Sequence, residues 1–140
     1  MTLERFTRAQ SGVYATALAE LREGRKTGHW MWFIFPQLKG LGGSPTARHF
    51  AIADLAEAAE YLRHPMLGQR LVDCARTVLR HEGTPIEDIL GEVDALKLRS
   101  CATLFSSLEG ADPVFARVLN TFYTEACPGT RFALSRRGAA

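Results

Sequence analysis

The sequence predicts an all-α protein, a single compact domain of about seven helices with short loops that spans residues 1–140. Three observations predict this fold class. Apolar residues recur every three or four positions through most of the chain, no stretch alternates convincingly with a period of two, and serine, aspartate or proline caps precede several apolar stripes. The composition, 46% hydrophobic and 23% charged residues, is that of a packed chain rather than a disordered one.

The first helix is predicted over residues 4–23, and Gly24 follows it as a C-terminal cap. Its apolar stripe is Phe6, Ala9, Val13, Ala17 and Leu21. Next comes His29–Gln37, which we call the aromatic segment. Its six consecutive large apolar residues match neither the helical nor the strand period. Because Pro36 disfavours helical backbone in the residue before it, we expect one or two irregular helical turns there.

Six more helices are predicted after the glycine-rich loop 38–43, most of them beginning with a capping residue. The ranges are 45–52, 54–62, 66–80, 85–90, 94–108 and a helix after Asp112–Pro113. Asp54 and Asp94 are expected to cap two of these helices, and Thr84–Glu87 to form a capping box. Residues 129–140 are expected to form a loosely ordered tail.

Composition and motifs exclude several classes of function. The net charge of +2 gives no basis for binding nucleic acid, and no apolar run is long enough to span a bilayer, so we expect neither partner. The chain lacks the GxGxxG, Walker, GxSxG and HExxH motifs, and its four histidines have no metal-ligand spacing. We therefore expect no cofactor and no metal. Nothing in the sequence specifies an oligomeric state.

The three cysteines indicate a reducing compartment, because their number is odd and none has CxxC spacing. Cys74 and Cys101 lie in apolar helical patterns and are expected to be buried thiols that act as small hydrophobes. Cys127 precedes Pro128 and is expected to lie in a loop. With no apolar stretch of signal-peptide length behind the N-terminus, the sequence predicts a cytoplasmic protein.

The aromatic segment is the first candidate site. Trp30 and Trp32 could wall a pocket for a flat ring, with His29 and Gln37 as polar groups at its rim. If the protein performs chemistry, His29 is the best candidate for the acid or base, because imidazole titrates near neutral pH. The alternative is that these aromatic residues are core side chains wedged between helices.

The second candidate is one face of the predicted helix 94–108. Lys97, Ser100 and Thr103 are three residues apart and share a helix face, so the ammonium and hydroxyl groups could hold a phosphate or carboxylate. Arg25 would supply a further positive charge. The alternative is a solvated flank whose hydroxyls bond back to the preceding turn. Gly40–Gly43, before a helix capped by Ser44, is a weaker candidate for an anion site, and a plain loop is the favoured interpretation.

The string HWMWFIFPQ of the aromatic segment, together with Ser44-Pro45, His64-Pro65 and Lys97–Ser100, resembles an uncharacterised bacterial family. This is the domain of unknown function eighteen-ten, typified by a mycobacterial protein of all-α fold. The resemblance covers about residues 4–124 and implies an all-α fold, but it implies no activity and no catalytic residue. The chain departs from the family pattern at Gly43, usually histidine, and at Cys101-Ala102, usually serine-methionine.

These patterns favour a cytoplasmic protein that binds a small molecule, phosphorylated or nucleotide-like, between the aromatic segment and the Lys97–Thr103 helix face. Trp30 and Trp32 would stack on the ligand, His29 and Gln37 would orient it, and a cationic cluster would hold its anion. That cluster consists of Arg25, Lys97 and Ser100. Whether the protein is an enzyme stays open. The alternative is a non-catalytic protein-interaction module that uses the aromatic segment as its docking patch.

Overall fold

The protein is all-α, as predicted, in a computed structural model that describes residues 3–138. Ten helices and no strand occur in this part of the chain, and one isolated parallel bridge joins Leu38 to Ile52. The helices are α1 (Glu4–Gln10), α2 (Tyr14–Glu23), α3 (Met31–Ile34), α4 (Pro45–His49), α5 (Leu55–Arg63), α6 (Leu67–Leu79), α7 (Ile86–Leu90), α8 (Glu92–Ser106), α9 (Val114–Phe122) and α10 (Pro128–Gly138).

The N-terminal helix is two helices rather than the single one predicted over 4–23. Gly12 adopts a left-handed backbone conformation with φ of 78°, which interrupts the helix between α1 and α2. The last residue of α1, Gln10, is buried, and its side-chain amide donates to the backbone oxygen of Phe33 at 2.8 Å. Arg70 in turn donates to Gln10 Oε1 at 3.1 Å. These tertiary hydrogen bonds hold the end of α1 against the aromatic segment.

Gly24 ends α2 as the predicted C-terminal cap, whereas two of the four predicted N-terminal caps named above are confirmed and two are wrong. Ser44 Oγ and Asp54 Oδ1 each accept a backbone N–H from the first turn of their helices, at 3.1 Å and 2.9 Å. Helix α7 has no side-chain cap, so the predicted capping box at Thr84–Glu87 does not form. Helix α8 begins at Glu92, which places Asp94 inside its first turn. The Asp94 carboxylate is therefore available for other partners.

The C-terminal segment is a helix in its described part, where the sequence predicted a loosely ordered tail. Helix α10 packs against α8, and the fully buried Thr130 Oγ1 lies 2.9 Å from Ser100 Oγ. The hydroxyl pair joins two elements thirty residues apart in sequence, which local pattern cannot reveal. Residues 139 and 140 lie outside the described part.

The core lies where α5, α6, α8 and α9 pack together beneath the aromatic segment. Phe6 meets Tyr61 edge to face with ring centroids 5.0 Å apart, inside a larger aromatic cluster. A side chain at Gly68 would meet the backbone oxygen of Leu62 at 2.0 Å, so only glycine permits this approach of α6 to the end of α5. No helix in residues 3–138 is long and apolar enough to cross a membrane.

Candidate functional site

The aromatic segment meets helix α8 at a shared carboxylate. Asp94 Oδ2 lies 2.8 Å from Lys26 Nζ, and Asp94 Oδ1 lies 3.2 Å from Lys97 Nζ. Asp94 is free to pair with both lysines because α8 starts two residues earlier and does not use it as a cap. One carboxylate between two ammonium groups leaves one net positive charge, and each lysine lies over a different tryptophan.

Trp30 is a core residue. Its side chain is 1% exposed, and its ring N–H donates to Glu20 Oε1 at 3.0 Å. The same oxygen accepts the backbone N–H groups of Thr27 at 2.7 Å and Gly28 at 2.9 Å. Desolvation opposes ionisation of this carboxyl, but hydrogen bonds from Gly28, Thr27 and Trp30 lower the pKa of Glu20. Lys26 Nζ, 5.0 Å from the ring centroid, completes the enclosure of Trp30.

Trp32, two residues further on, lines an open cleft of about 410 Å³. Trp32 and Gln37 form one wall of this cleft, and helix α8 contributes Lys97, Arg99 and Ser100. Lys97 Nζ lies 4.6 Å from the Trp32 ring centroid, a cation–π distance. The remaining lining residues that matter chemically are Gly42, Gly43, Ser44 and Cys127. The cleft therefore combines an aromatic wall with two cationic side chains and a thiol.

The rim of the cleft is apolar and exposed. Val93 and Leu96 from α8 are 68% and 57% exposed, and Leu41 from the glycine-rich loop is 37% exposed. Large aliphatic side chains in contact with water at the mouth of a cleft are typical of a surface that contacts a ligand or partner.

Arg99 is a cleft residue that the sequence analysis missed. Its Nε is buried and has no hydrogen-bond partner among the described residues, and no described carboxylate forms an ion pair with the guanidinium. A buried polar atom without a partner is costly, so a group that accepts from Arg99 would be favoured here. On a helical wheel Arg99 is off the Lys97–Ser100–Thr103 face, which is why spacing did not select it.

Cys127 is the second residue that the sequence analysis did not place in the site. Its backbone N–H donates to Thr103 Oγ1 at 2.9 Å, which holds the start of α10 against α8. Desolvation opposes ionisation of the thiol, but hydrogen bonds from Thr130 and Gly129 and the charge of Arg99 lower the pKa of Cys127. A cysteine directly before proline at a helix start was the sequence signal that could have suggested this.

The hydroxyl groups of α8 act within the protein. Ser100 is buried and bonds to Thr130, and Thr103 Oγ1 donates to the backbone oxygen of Arg99 at 2.7 Å. Thr103 thus bonds back to the preceding turn, as the structural alternative expected, but Ser100 and Thr103 are buried, so this face is not the solvated flank of that alternative. Ser100 lines the cleft, but its hydroxyl is already engaged.

Of the seven residues that the sequence proposed as a site, four line this one cleft: Trp32, Gln37, Lys97 and Ser100. The other three do not line it. Trp30 is enclosed in the core, and His29 and Arg25 are exposed and do not belong to the cleft lining. Within residues 3–138 no group of three or more His, Cys, Asp or Glu side chains could hold a metal ion.

Of two other cavities, one adjoins this cleft and one is separate from it. One of about 250 Å³ shares Trp32 and Gln37 with it and extends beneath the glycine-rich loop. Another, of about 600 Å³, lies between α5, α6 and the loop before α9, and shares no lining residue with the cleft. Its charged side chains include Arg76, which pairs with Asp112 at 3.2 Å. The cleft beside Trp32 is where the aromatic, cationic and thiol groups come together.

Fold and site together define a class: an all-α domain with an aromatic-walled, positively charged cleft between a short tryptophan-containing turn and a long helix. The chain belongs to the family described as Protein of unknown function (DUF1810), whose model matches residues 1–133. This confirms the family resemblance carried by the aromatic segment.

A solved structure similar to this one is that of the conserved hypothetical protein Rv1873 from Mycobacterium tuberculosis. The two chains are 46% identical, with a TM-score of 0.93, and the match covers 95% of this chain and 96% of the mycobacterial one. No curated protein matches the chain. The all-α fold is thus shared with a solved relative over nearly the whole length of both chains.

Proposed function

We propose that the protein is a cytoplasmic small-molecule-binding protein whose ligand, phosphorylated or nucleotide-like, occupies the cleft beside Trp32. The observation that carries this proposal is the placement of Lys97 over the Trp32 ring in the same cleft as Arg99, whose buried Nε has no hydrogen-bond partner among the described residues. A planar group would contact the indole, and an anionic group would meet the two cations. Gln37, half-buried in the cleft wall, offers an amide to orient the ligand.

The charge balance of the cleft supports an anion. Lys97 shares Asp94 with Lys26, so this carboxylate does not neutralise Lys97 fully. Arg99 adds a second positive charge, and Ser44 and the adjacent glycines bring backbone and hydroxyl groups to the opposite side. His29 lies outside the cleft, which gives no support to its role as an acid or base, so the proposal is one of binding.

The test is a thermal-shift panel of nucleoside phosphates, sugar phosphates and free inorganic phosphate. A ligand at a hundredfold its dissociation constant should stabilise the wild type by about 2.7 kcal/mol. Lys97→Ala and Trp32→Leu should lose most of that shift, whereas the matched controls Arg25→Ala and His29→Ala should keep it. A ligand that stabilises Lys97→Ala as strongly as the wild type would overturn the assignment of the cleft.

A second candidate is a non-catalytic interaction module, and the exposed rim formed by Leu41, Val93 and Leu96 favours it. The docking surface would then be this rim, because Trp30 and Phe35 of the aromatic segment are buried. Sedimentation of the wild type and of Leu96→Ser over a wide concentration range tests whether a second copy docks there. A chain that stays monomeric while a phosphorylated ligand raises its melting temperature would argue against this candidate.

A further inference from the structure

The three cysteines have different surroundings. Cys74 and Cys101 are buried in the core, as predicted, and burial raises the pKa of both thiols, that of Cys74 to about 12. Cys127 is only partly buried and lines the cleft. A thiol reacts as its thiolate and needs access, so the two core cysteines are inert and Cys127 is accessible.

The backbone around Cys127 is arranged to receive negative charge. Cys127 directly precedes Pro128, the first residue of the eleven-residue helix α10, so the free N–H groups of the first turn lie next to its sulfur. Although desolvation opposes ionisation of this thiol, hydrogen bonding from Thr130 and Gly129 and the charge of Arg99 lower the pKa of Cys127. The bond from the Cys127 N–H to Thr103 fixes this geometry against α8.

Ser100 contacts Thr130, the residue whose hydrogen bonding lowers the pKa of the Cys127 thiol. The two hydroxyl oxygens are 2.9 Å apart, and both residues are buried. A hydroxyl has one proton, so when Thr130 donates to the Cys127 sulfur, Ser100 must be the donor to Thr130. In that arrangement Ser100 would be a positioning residue that orients the Thr130 proton towards the thiolate.

Arg99 is the independent sign that an anion belongs in this cleft. Its Nε is buried and has no hydrogen-bond partner in the described part of the chain, and the guanidinium lies close enough to Cys127 to favour the thiolate. Lys97 brings a second cation to the same lining. The charge of Arg99 favours the thiolate, and two cations in one cleft favour an anionic partner that approaches it.

We propose that Cys127 is a reactive thiol of the cleft and that it forms a mixed disulfide with a small anionic disulfide, which closes the cleft to other ligands. The anionic disulfide would be held by Lys97 and Arg99, so the inference rests on the proposed function in its choice of cations. The thiol chemistry itself depends on Cys127, Thr130 and Ser100.

The step balances without a further oxidant. The Cys127 thiolate attacks one sulfur of the bound disulfide, a new sulfur–sulfur bond forms, and the original one breaks with its electron pair on the departing sulfur. Cys127 is oxidised to the mixed disulfide, and the leaving group departs as a reduced thiolate that takes a proton from water. A free thiol in excess reverses the modification.

The experiment uses the folded, full-length protein and two disulfide probes: the anionic 5,5′-dithiobis(2-nitrobenzoate) and the neutral 2,2′-dithiodipyridine. We expect one thiol per chain to react rapidly, the other two to react only in denaturant, and Cys127→Ser to abolish the rapid phase. The pH midpoint of the rapid phase should lie below that of free cysteine, about 8.5. Ser100→Ala should move this midpoint upwards.

The effect of cleft charges on the two reaction rates tests whether the cleft prefers an anionic disulfide. Arg99→Gln and Lys97→Gln should each slow the anionic probe at least about fivefold, the effect of one unit charge about 4 Å away at the dielectric constant of water. The neutral probe should slow less. Arg25→Gln removes the same charge outside the cleft and should leave the ratio of the two rates unchanged. Circular dichroism of each variant checks that it is folded.

Two results would overturn the inference: a rapid phase that titrates like free cysteine, or a rate ratio that Arg25→Gln changes as much as Arg99→Gln and Lys97→Gln do. The ligand panel separates this failure from that of the proposed function. Ligand stabilisation with an ordinary Cys127 rejects only the reactive thiol. A reactive Cys127 whose anionic preference needs Lys97, with no stabilising metabolite, rejects only the proposed ligand.

Discussion

Trp30 and Trp32 are separated by one residue, and each has a lysine over its ring, Lys26 at 5.0 Å and Lys97 at 4.6 Å. Asp94 binds both lysines. Trp30 is nevertheless enclosed in the core, whereas Trp32 faces a cleft. The same pair of residue types, a tryptophan and a lysine, thus stabilises the fold at one ring and lines a candidate site at the other.

The two tryptophans differ in whether the polar groups around them all have hydrogen-bond partners. At Trp30, Glu20 accepts the ring N–H together with two backbone N–H groups, so the indole and its neighbours are fully satisfied. At Trp32 the neighbours are the glycine-rich loop and the cleft face of α8, where the Arg99 Nε has no hydrogen-bond partner in the described part of the chain. Around Trp30 the hydrogen bonds stabilise the fold. Around Trp32 a buried polar atom without a partner favours the binding of a group that accepts a hydrogen bond.

The largest expected contrast is between the two tryptophans. Trp30→Ala removes a fully buried side chain and should lower the free energy of unfolding by about 3–5 kcal/mol, because a cavity is left behind. Trp32→Ala should cost less than half as much, since its side chain is only partly buried. Urea unfolding followed by circular dichroism measures both. Equal losses would mean that Trp32 is as structural as Trp30.

Substitution of Lys26 should lower the free energy of unfolding more than substitution of Lys97, in parallel with the two tryptophans. The side chain of Lys26 is 9% exposed and also donates to the backbone oxygen of Gly28, whereas that of Lys97 is 22% exposed. Lys26→Met should lower the free energy of unfolding by about 2 kcal/mol, because it removes hydrogen bonds from a charged, nearly buried donor. Lys97→Met should cost less than about 1 kcal/mol. The reverse order in urea unfolding would contradict this division of roles.

The hydrogen bonds that Glu20 accepts around Trp30 should make the free energy of unfolding depend on pH in the acid range. Its folded pKa is lowered from 4.5, so its stabilisation is fully present above that value and is lost as the pH falls through the folded pKa. Glu20→Gln should cost about 1.5 kcal/mol at neutral pH. The difference from wild type should shrink as the pH falls below 4.5. Glu23→Gln, at an exposed carboxylate of the same helix, is the control and should show no such trend in unfolding experiments across pH.

The smallest effect is expected at the rim of the cleft. Leu96→Ser replaces a 57% exposed side chain and should change the free energy of unfolding by no more than about 0.5 kcal/mol. Leu98→Ser, at a buried position on the same helix, should cost several times more. Chemical denaturation of the pair measures the contrast. A large loss at Leu96 would show that the rim is part of the core.

Local sequence signals predicted much of the fold. Proline and acidic caps located the starts of α4 and α5, helical periodicity identified the burial of Cys74 and Cys101, and the run before Pro36 indicated a short helical turn, which is α3. Errors occurred where tertiary contacts overruled local preference. The break at Gly12 and the start of α8 before Asp94 both accompany long-range bonds, from Gln10 and from Lys26.

The candidate site was predictable in part for the same reason. Helical spacing put Lys97 and Ser100 on one face, and the aromatic segment was chosen for its composition, so the walls of the cleft came from local patterns. Arg99 and Cys127 were missed because their proximity depends on how α10 packs on α8. No spacing rule connects residues on separate helices.

By itself, the sequence determined the fold class, most helix boundaries, the buried cysteines and the family, because periodicity, caps and the HWMWFIFPQ string are local properties of the chain. Only the tertiary structure decided which tryptophan is core and which faces the cleft, which partners Asp94 takes, and that Cys127 lies beside Arg99. Those outcomes depend on which helix faces pack together, and packing is set by the whole core at once.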